Sequence, residues 1–461
     1  MTVRLRPGTG RANVALIVVS VMLAVLIGPL NSTMIAVALP AITHDFGMRS
    51  SAGTWLVTVY LITMAALMPV VGKLGDRFGR RPVMLVGLVA FFVASAGAAI
   101  APSFAVLMAS RIAQAAAASV LMPNGIAILR ETVSRQRLGT AIGMVGLAAP
   151  LAAAAGPPVG SLLLAASGWR ALFVLNLAVL IVPLAVGWLL LPRHTRSGSG
   201  GKFDVVGSML VCVLLVAFAG LLDLPASGWA VAGWALLLVV SGAVLLRQER
   251  NHPDPAVALG LFVNPPFAVA SAGILLSNFA MYGPLLSLPL LLADRPHWPD
   301  GATGGVIAAM MVAVAVLAPF GGWLSDHVGQ RIPAAIGFVV TAAGLAPLAF
   351  AGPQLSAVGV GVALAVAGVG MGLSNSALQT MSVEAVDPSE TGMASGVYST
   401  CRYLGSITVS ALLAGPLASS VQNAAGFAAP FLTYTAAAAI GAVLIALLPL
   451  FSHFRKPVSC D

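Results

Sequence analysis

Hydrophobic runs of about eighteen to twenty-five residues, separated by short polar stretches, fill the chain almost end to end. That length suits α-helices crossing a hydrocarbon core of about 30 Å; the strands of a membrane barrel would show alternating segments of about ten residues. A sliding window of about 19 residues places spans at 14–39, 54–72, 83–100, 104–124, 138–165, 169–191, 204–222, 229–247, 266–292, 303–323, 333–351, 356–381, 391–418 and 430–451. The expected fold is all-α and polytopic, with fourteen transmembrane helices and no room for a soluble domain.

Composition sharpens this. Hydrophobic residues make up 59% and charged residues 8%, with a mean hydropathy of +1.00, whereas a soluble domain carries roughly a quarter charged residues. The lipid bilayer is therefore an obligatory partner. The first run follows Arg4, Arg6 and Arg11, but it is too long for a signal-peptide core and too many spans follow it. Cys212, Cys401 and Cys460 lack metal-binding or redox spacing and read as small apolar filler. No metal-ligand cluster, nucleophile with a base, or phosphate loop is found. Gly368, Gly370 and Gly372 lie inside a span with the wrong spacing for a dinucleotide fingerprint. Neither an enzyme nor an ATP-driven pump is expected, and neither is a cofactor.

The few charges are unevenly placed. The amino end, alternate loops and the carboxyl end hold eighteen Lys and Arg, and the opposite loops hold three, Arg49, Arg170 and Arg295. Such a bias predicts that both termini are cytoplasmic. It also accounts for the pI of 10.2 without nucleic acid. The Ala-, Val- and Gly-rich composition points to a bacterial chain, hence to the inner membrane.

Two of the cytoplasmic turns repeat each other. Residues 72–82 read GKLGDRFGRRP and residues 322–333 read GWLSDHVGQRIP, with Gly, Leu, Asp, Gly and Arg in one spacing. A six-helix unit would recur after roughly 200 residues, and the excess matches spans 7 and 8. The arrangement expected is 6 + 2 + 6: a first bundle over 1–192, an inserted pair over 193–262 and a second bundle over 263–461. Parallel halves of this kind place a substrate path at their interface.

These motifs resemble the major facilitator superfamily, specifically its fourteen-helix drug/proton antiporter branch, over nearly the whole chain. Gly72-x-Leu74-x-Asp76-Arg77-x-Gly79-Arg80-Arg81 is similar to the superfamily's signature between its second and third helices. Arg111 with Gln114 resembles its intramembrane arginine motif, with Ala115 in place of the usual glycine. Ala155-Gly156-Pro157-Pro158-Val159-Gly160 resembles the motif associated with exporters, and Trp169-Arg170 with Phe173 and Asn176 is a weaker echo. The resemblance implies a cytoplasmic latch built from Gly72, Asp76, Arg77, Gly79, Arg80 and Arg81, meeting Glu131 and the segment near Glu390 to Gly392. Asp326 and Arg331 form the second copy. Gly156, Pro157 and Gly160 would seal the cavity on one side.

Interior polar residues mark the expected cavity. An arginine at mid-span costs roughly 2.5–3.5 kcal/mol on insertion scales and so faces a cavity or a partner. Arg111, Gln114 and Ser119 share one helical face, and Asn278 with Tyr282, Asn375 with Gln379, and Tyr398 with Arg402 are i, i+4 pairs. Branch members usually carry an aspartate where this chain has Asn31, and asparagine cannot titrate. All fourteen acids lie toward the ends of spans or in loops. Proton coupling would then use a helix-end acid or a cargo that brings its own proton. The expected function is export of amphipathic small molecules, with protons as coupling ion. An uncoupled facilitator, or an exporter of an endogenous metabolite, is the alternative. Two cavity arginines favour neutral or anionic cargo over strongly cationic drugs.

Overall fold

The computed structural model describes residues 11–191, 205–222, 228–251, 259–292, 298, 302–386, 391–417, 420 and 426–452. Fourteen long α-helices account for most of them: α1 (Arg11–Asp45), α2 (Ser50–Phe78), α3 (Arg80–Ala99), α4 (Phe104–Thr132), α5 (Arg135–Ser167), α6 (Arg170–Leu189), α7 (Val205–Leu222), α8 (Gly228–Asn251), α9 (Pro265–Leu292), α10 (Ala302–Val328), α11 (Arg331–Ala351), α12 (Ala357–Glu384), α13 (Thr391–Ala414) and α14 (Ala428–Ser452). Each predicted span overlaps one helix over most of its length, some, such as those at 83–100, 169–191 and 391–418, running past the helix ends. Several helices outrun their spans, because polar ends such as Lys73–Phe78 stay helical once outside the apolar layer. By length and composition, ten of the helices can cross a membrane among the described residues. α2 and α7 contribute the shorter apolar stretches Ala52–Met68 and Met209–Leu222. Serines start two helices, Ser103 accepting from the Val106 amide and Ser356 from the Gly359 amide.

α1 packs against α4, α5 and α6, and α3 against α4 and α6; in the second group α12 lies between α10 and α11, while α9 meets α13 and α14. Three pairs join the groups, α2 with α13, α5 with α10, and α1 with α9. α7 pairs with α8 and leans on both α2 and α13.

The apolar core is continuous at one end and divided at the other. Toward the turns at 45–50, 99–104 and 167–170, one cluster takes in Leu39 and Ile42 of α1, Leu56 of α2, Leu285 and Leu292 of α9, Ile307 of α10 and Ile407 of α13. Toward the turns at 79 and 329, Ile17, Met84, Leu129 and Leu180 form a cluster drawn from α1–α6, joined by the partly buried Tyr403. Ile274, Phe338, Leu378 and Ile445 form another from α9–α14. Hydrogen bonds between the groups lie on the continuous side: Ser32 with the Tyr282 hydroxyl at 3.4 Å, Thr58 with Ser410, and Ser410 to the Thr54 carbonyl at 3.1 Å.

Candidate functional site

Arg111, in the second turn of α4, is fully buried, and its surroundings are neutral. Nε donates to the Leu56 carbonyl at 3.2 Å and Nη1 to Gln114 Oε1 at 3.1 Å. The guanidinium carbon lies 4.3 Å from the centre of the Tyr60 ring on α2, which the ring's negative face favours. Nη2 has no partner. Gln114 passes the chain of contacts on: its Nε2 donates to Ser95 Oγ on α3 at 2.9 Å, and its Oε1 accepts from Asn31 Nδ2 at 3.4 Å. Asn31 Oδ1 in turn accepts from Asn176 Nδ2 on α6 at 3.0 Å. Five buried side chains from four helices thus form one network. Low dielectric strengthens each of its bonds and makes each expensive to break.

The predicted stripe of Arg111, Gln114 and Ser119 lies inside the first helical group, closed from solvent in this conformation. Ser119 closes on its own helix, donating to the Ala116 carbonyl at 2.7 Å. Ser95, Tyr60 and Asn176 complete the network and were not among the residues expected to line it. Asn176 belonged to a motif noted above, but an isolated Asn, Ser or Tyr in an apolar helix carries no periodic signal.

In the second group the side chains are more open. Tyr282, Asn375, Gln379, Arg402 and Tyr403 are all partly exposed. Arg402 Nη2 donates to Gln379 Oε1 at 3.1 Å, its guanidinium stands 5.6 Å from the Tyr398 ring, and its Nε has no partner. Tyr398 is fully buried with its hydroxyl unpaired. Asn375 Oδ1 accepts from Ser277 Oγ at 2.6 Å, while Asn278 donates back to the Ile274 carbonyl at 3.2 Å. The structure thus joins the pair Gln379 and Arg402, and keeps Asn278 on its own helix. Tyr282 lies at the junction of the groups, bonded to Ser32 and within electrostatic reach of both Arg111 and Arg402.

The glycine-proline turn of α5 faces two ways. Gly156 and Gly160 bring α5 against α1, where a Cβ on Gly156 would stand 1.8 Å from Thr33 Oγ1, and one on Gly160 would stand 3.1 Å from the Met34 carbonyl. On the other side, a Cβ on Gly304 of α10 would stand 2.8 Å from the Pro157 carbonyl. The motif is therefore clamped between α1 and α10 on the continuous side. Nearby, Asp45 accepts from Arg170 Nη1 at 2.9 Å and Trp169 Nε1 at 3.0 Å, tying the end of α1 to the start of α6.

The two charged turns match in detail. Gly79 and Gly329 take φ of +94° and +80°, a region open to glycine and costly for other residues. Arg81 donates to the Gly187 and Trp188 carbonyls at 3.4 and 2.7 Å, near the end of α6. Arg331 donates to the Ile445 and Ala446 carbonyls at 3.2 and 2.8 Å, in the later turns of α14. Both arginines bind the negative end of the last helix of their own group. Asp326 is exposed and Gln330 bonds Glu384 on α12. The backbone of Gly72, Asp76, Arg77 and Glu131 is helical, but their side chains lie outside the described residues, as does Glu390. Among the described residues, no group of His, Cys, Asp and Glu is arranged to hold a metal ion.

Comparison with known proteins agrees with this architecture. The sequence model of the Major Facilitator Superfamily matches residues 21–410. The uncharacterised MFS-type transporter YvkA of Bacillus subtilis is 33% identical over 86% of this chain and 89% of its own length. The multidrug resistance protein Stp of Mycobacterium tuberculosis is 30% identical over 84% and 73%. The tetracenomycin C resistance and export protein of Streptomyces glaucescens is 29% identical over 71% and 61%. Among solved structures, a bacterial homologue of the human lysosomal transporter Spinster, inward-facing and unoccupied, superposes with a TM-score of 0.69 at 16% identity, covering 98% of this chain and all of that one. With its helices, its motifs and most of its length accounted for in this way, the chain belongs to the Major Facilitator Superfamily, a family of multi-pass membrane transporters.

Proposed function

We propose that the protein is a secondary transporter that exports amphipathic small molecules by alternating access, drawing on the proton gradient. The observation that carries this reading is the core, continuous between the helical groups at one end and divided at the other. Two rigid groups that rock about such a junction expose a central site to each side in turn. The 6 + 2 + 6 division over 1–192, 193–262 and 263–461 is supported by the packing of α1–α6, of α7 with α8, and of α9–α14 among themselves. With both termini cytoplasmic in the inner membrane, the divided end faces the cytoplasm and cargo enters there. The turns at Gly72–Arg81 and Asp326–Arg331, with Glu131, then act as latches when that side closes. Gly156, Pro157 and Gly160 hold the outer side shut. The printed names of Stp and of the tetracenomycin protein support export of drug-like molecules.

A second reading, an uncoupled facilitator, is favoured by Asn31, whose buried amide is bonded to two neutral amides where a titrating acid would serve proton transfer. Accumulation of neutral, anionic and cationic compounds in efflux-deficient cells separates the two readings, with Arg111→Ala as control and the gradient collapsed in parallel. Coupled export predicts lower accumulation of some compounds, lost in the variant and on collapse. Faster equilibration whatever the gradient establishes the facilitator, and no change in any compound refutes transport.

A further inference from the structure

We propose that the cargo carries a negative charge, and that the electrical component of the proton gradient drives its export by acting on this charge, with no proton held by the protein. The inference rests on the transport reading above.

Every acid of the chain stands in the last turn of a helix or outside the described helices. Asp45, Asp76, Glu131, Glu249, Asp326 and Glu384 close α1, α2, α4, α8, α10 and α12, and the remaining eight lie between or beyond described elements. Helix interiors nevertheless hold two arginines, Arg111 in α4 and Arg402 in α13, one from each helical group. The bonds described for both are with neutral partners: a carbonyl, two glutamine amides and tyrosine rings. Each keeps an N–H without a partner, and the Tyr398 hydroxyl beside Arg402 is unpaired as well. A buried cation without a counter-charge, as Arg111 is, is costly, and proteins pair such charges or use them.

The arrangement around them is a receptor for an acceptor-rich group. Tyr60, Tyr282 and Tyr403 come from α2, α9 and α13 and lie within electrostatic reach of one another at the seam. Tyr403 packs against clusters of both groups. Arg402, Tyr282 and Tyr403 are partly exposed there, so they meet the cargo, while Arg111 adds its field from behind the Tyr60 ring. Aromatic faces suit the apolar body of an amphiphile; guanidinium and hydroxyl donors suit a carboxylate or a sulfonate.

The same charge supplies the energy. An anion leaving a negative cell interior moves down the electrical gradient, and one charge across 100 mV sustains a concentration ratio of about fiftyfold. A titrating carboxylate at position 31 is then unnecessary.

The test uses the purified full chain in liposomes and one fluorescent scaffold in three forms: carboxylate, methyl ester and trimethylammonium analogue. A potassium diffusion potential is imposed without a pH difference, then a pH difference with the potential clamped at zero. The carboxylate is expected to move toward the positive side at least tenfold faster than the other two, to follow the potential alone, and to lose this in Arg402→Gln. Equal or faster movement of the ammonium form, or carboxylate movement driven only by the pH difference, overturns the inference and leaves transport standing. If none of the three moves, the transport reading falls and this one with it. Should Arg402→Gln fail to fold, the melting temperature of the wild-type chain decides: stabilisation by the carboxylate over the ester supports the inference, and equal stabilisation refutes it.

Discussion

Gly304→Ala tests whether the contact between α5 and α10 is a moving seam. A methyl on Gly304 would stand 2.1 Å from Ser161 Oγ and 2.8 Å from both Ser161 Cβ and the Pro157 carbonyl oxygen. The hydroxyl can swing aside. The carbonyl belongs to a helix backbone, so the helices must part by about half an ångström to restore ordinary contact. Forcing a methyl into a close-packed interface costs about 1–3 kcal/mol. Since the clash lies between the two helical groups, the cost falls on the conformation that closes this end and spares the one that opens it. At 1.36 kcal/mol per tenfold, the equilibrium tilts by roughly 5- to 150-fold toward the opened state.

Spin labels on cysteines placed at Ser167 and Ala302, with Cys212, Cys401 and Cys460 replaced, read this directly as a distance distribution. The parent is expected to show one short population, and Gly304→Ala a second, longer one, with transport slowed because one half of the cycle is disfavoured. Adding Ser161→Ala removes the nearest atom but not the Pro157 carbonyl, so the short population returns only in part. Identical distributions in parent and variant, with unchanged transport, would show that this seam does not close one end of the cycle.

Three further outcomes follow from the geometry. Arg81→Ala and Arg331→Ala each remove two donors from the end of a closing helix, and each is expected to lower stability by about 1 kcal/mol, discounted for partial exposure; equal melting temperatures for parent and variants would dismiss the clasps. Gly79→Ala and Gly329→Ala force alanine to positive φ at a cost of about 1–2 kcal/mol, seen as a lower melting temperature, whereas Gly322→Ala, with open space at its Cβ and no positive φ, leaves it unchanged. Asn31→Asp places a carboxylate within about 6.5 Å of Arg111 Nη1, since both nitrogens reach Gln114 Oε1 at 3.4 and 3.1 Å, an attraction of about 2.5 kcal/mol at an effective dielectric of 20. It is expected to bring in dependence on the pH gradient and improve cationic cargo relative to anionic in vesicle flux, and unchanged selectivity would count against the charge argument.

The helices were legible because each has to bury its own backbone in lipid, and an apolar run of sufficient length has no other solution. Arg111 was legible for a related reason, since an arginine there needs partners. Which partners was not legible. Helical spacing shows that Arg111, Gln114 and Ser119 share a face, yet it does not say which neighbour that face meets. The structure turns it inward to Tyr60, Ser95 and Asn31. The repeated turn announced itself by spacing, while the acceptors of Arg81 and Arg331 are backbone carbonyls, which leave no trace in side-chain sequence. The same holds for the clamp on α5: Gly156 and Gly160 mark a close approach, but Pro157 meets Gly304 through its carbonyl.

The two helical groups share a frame and divide its use. Their turns repeat in spacing, in glycine conformation and in the arginine that grips the closing helix. Their interiors differ. In the first, Arg111 is fixed by bonds in a network of buried amides, and loosening it would strand several polar atoms at once. In the second, Arg402 has one glutamine contact, a free Nε and partial exposure. On the proposed reading, a fixed charge in one wall and an available one in the other would let an anionic cargo bind by completing the second arginine's contacts without dismantling the first. Release would then need only the separation of Arg402 from that cargo. The same proposal accounts for an amide at position 31: Asn31 completes the network that holds Arg111, and an ionised acid there would draw that charge toward itself and away from an anionic cargo.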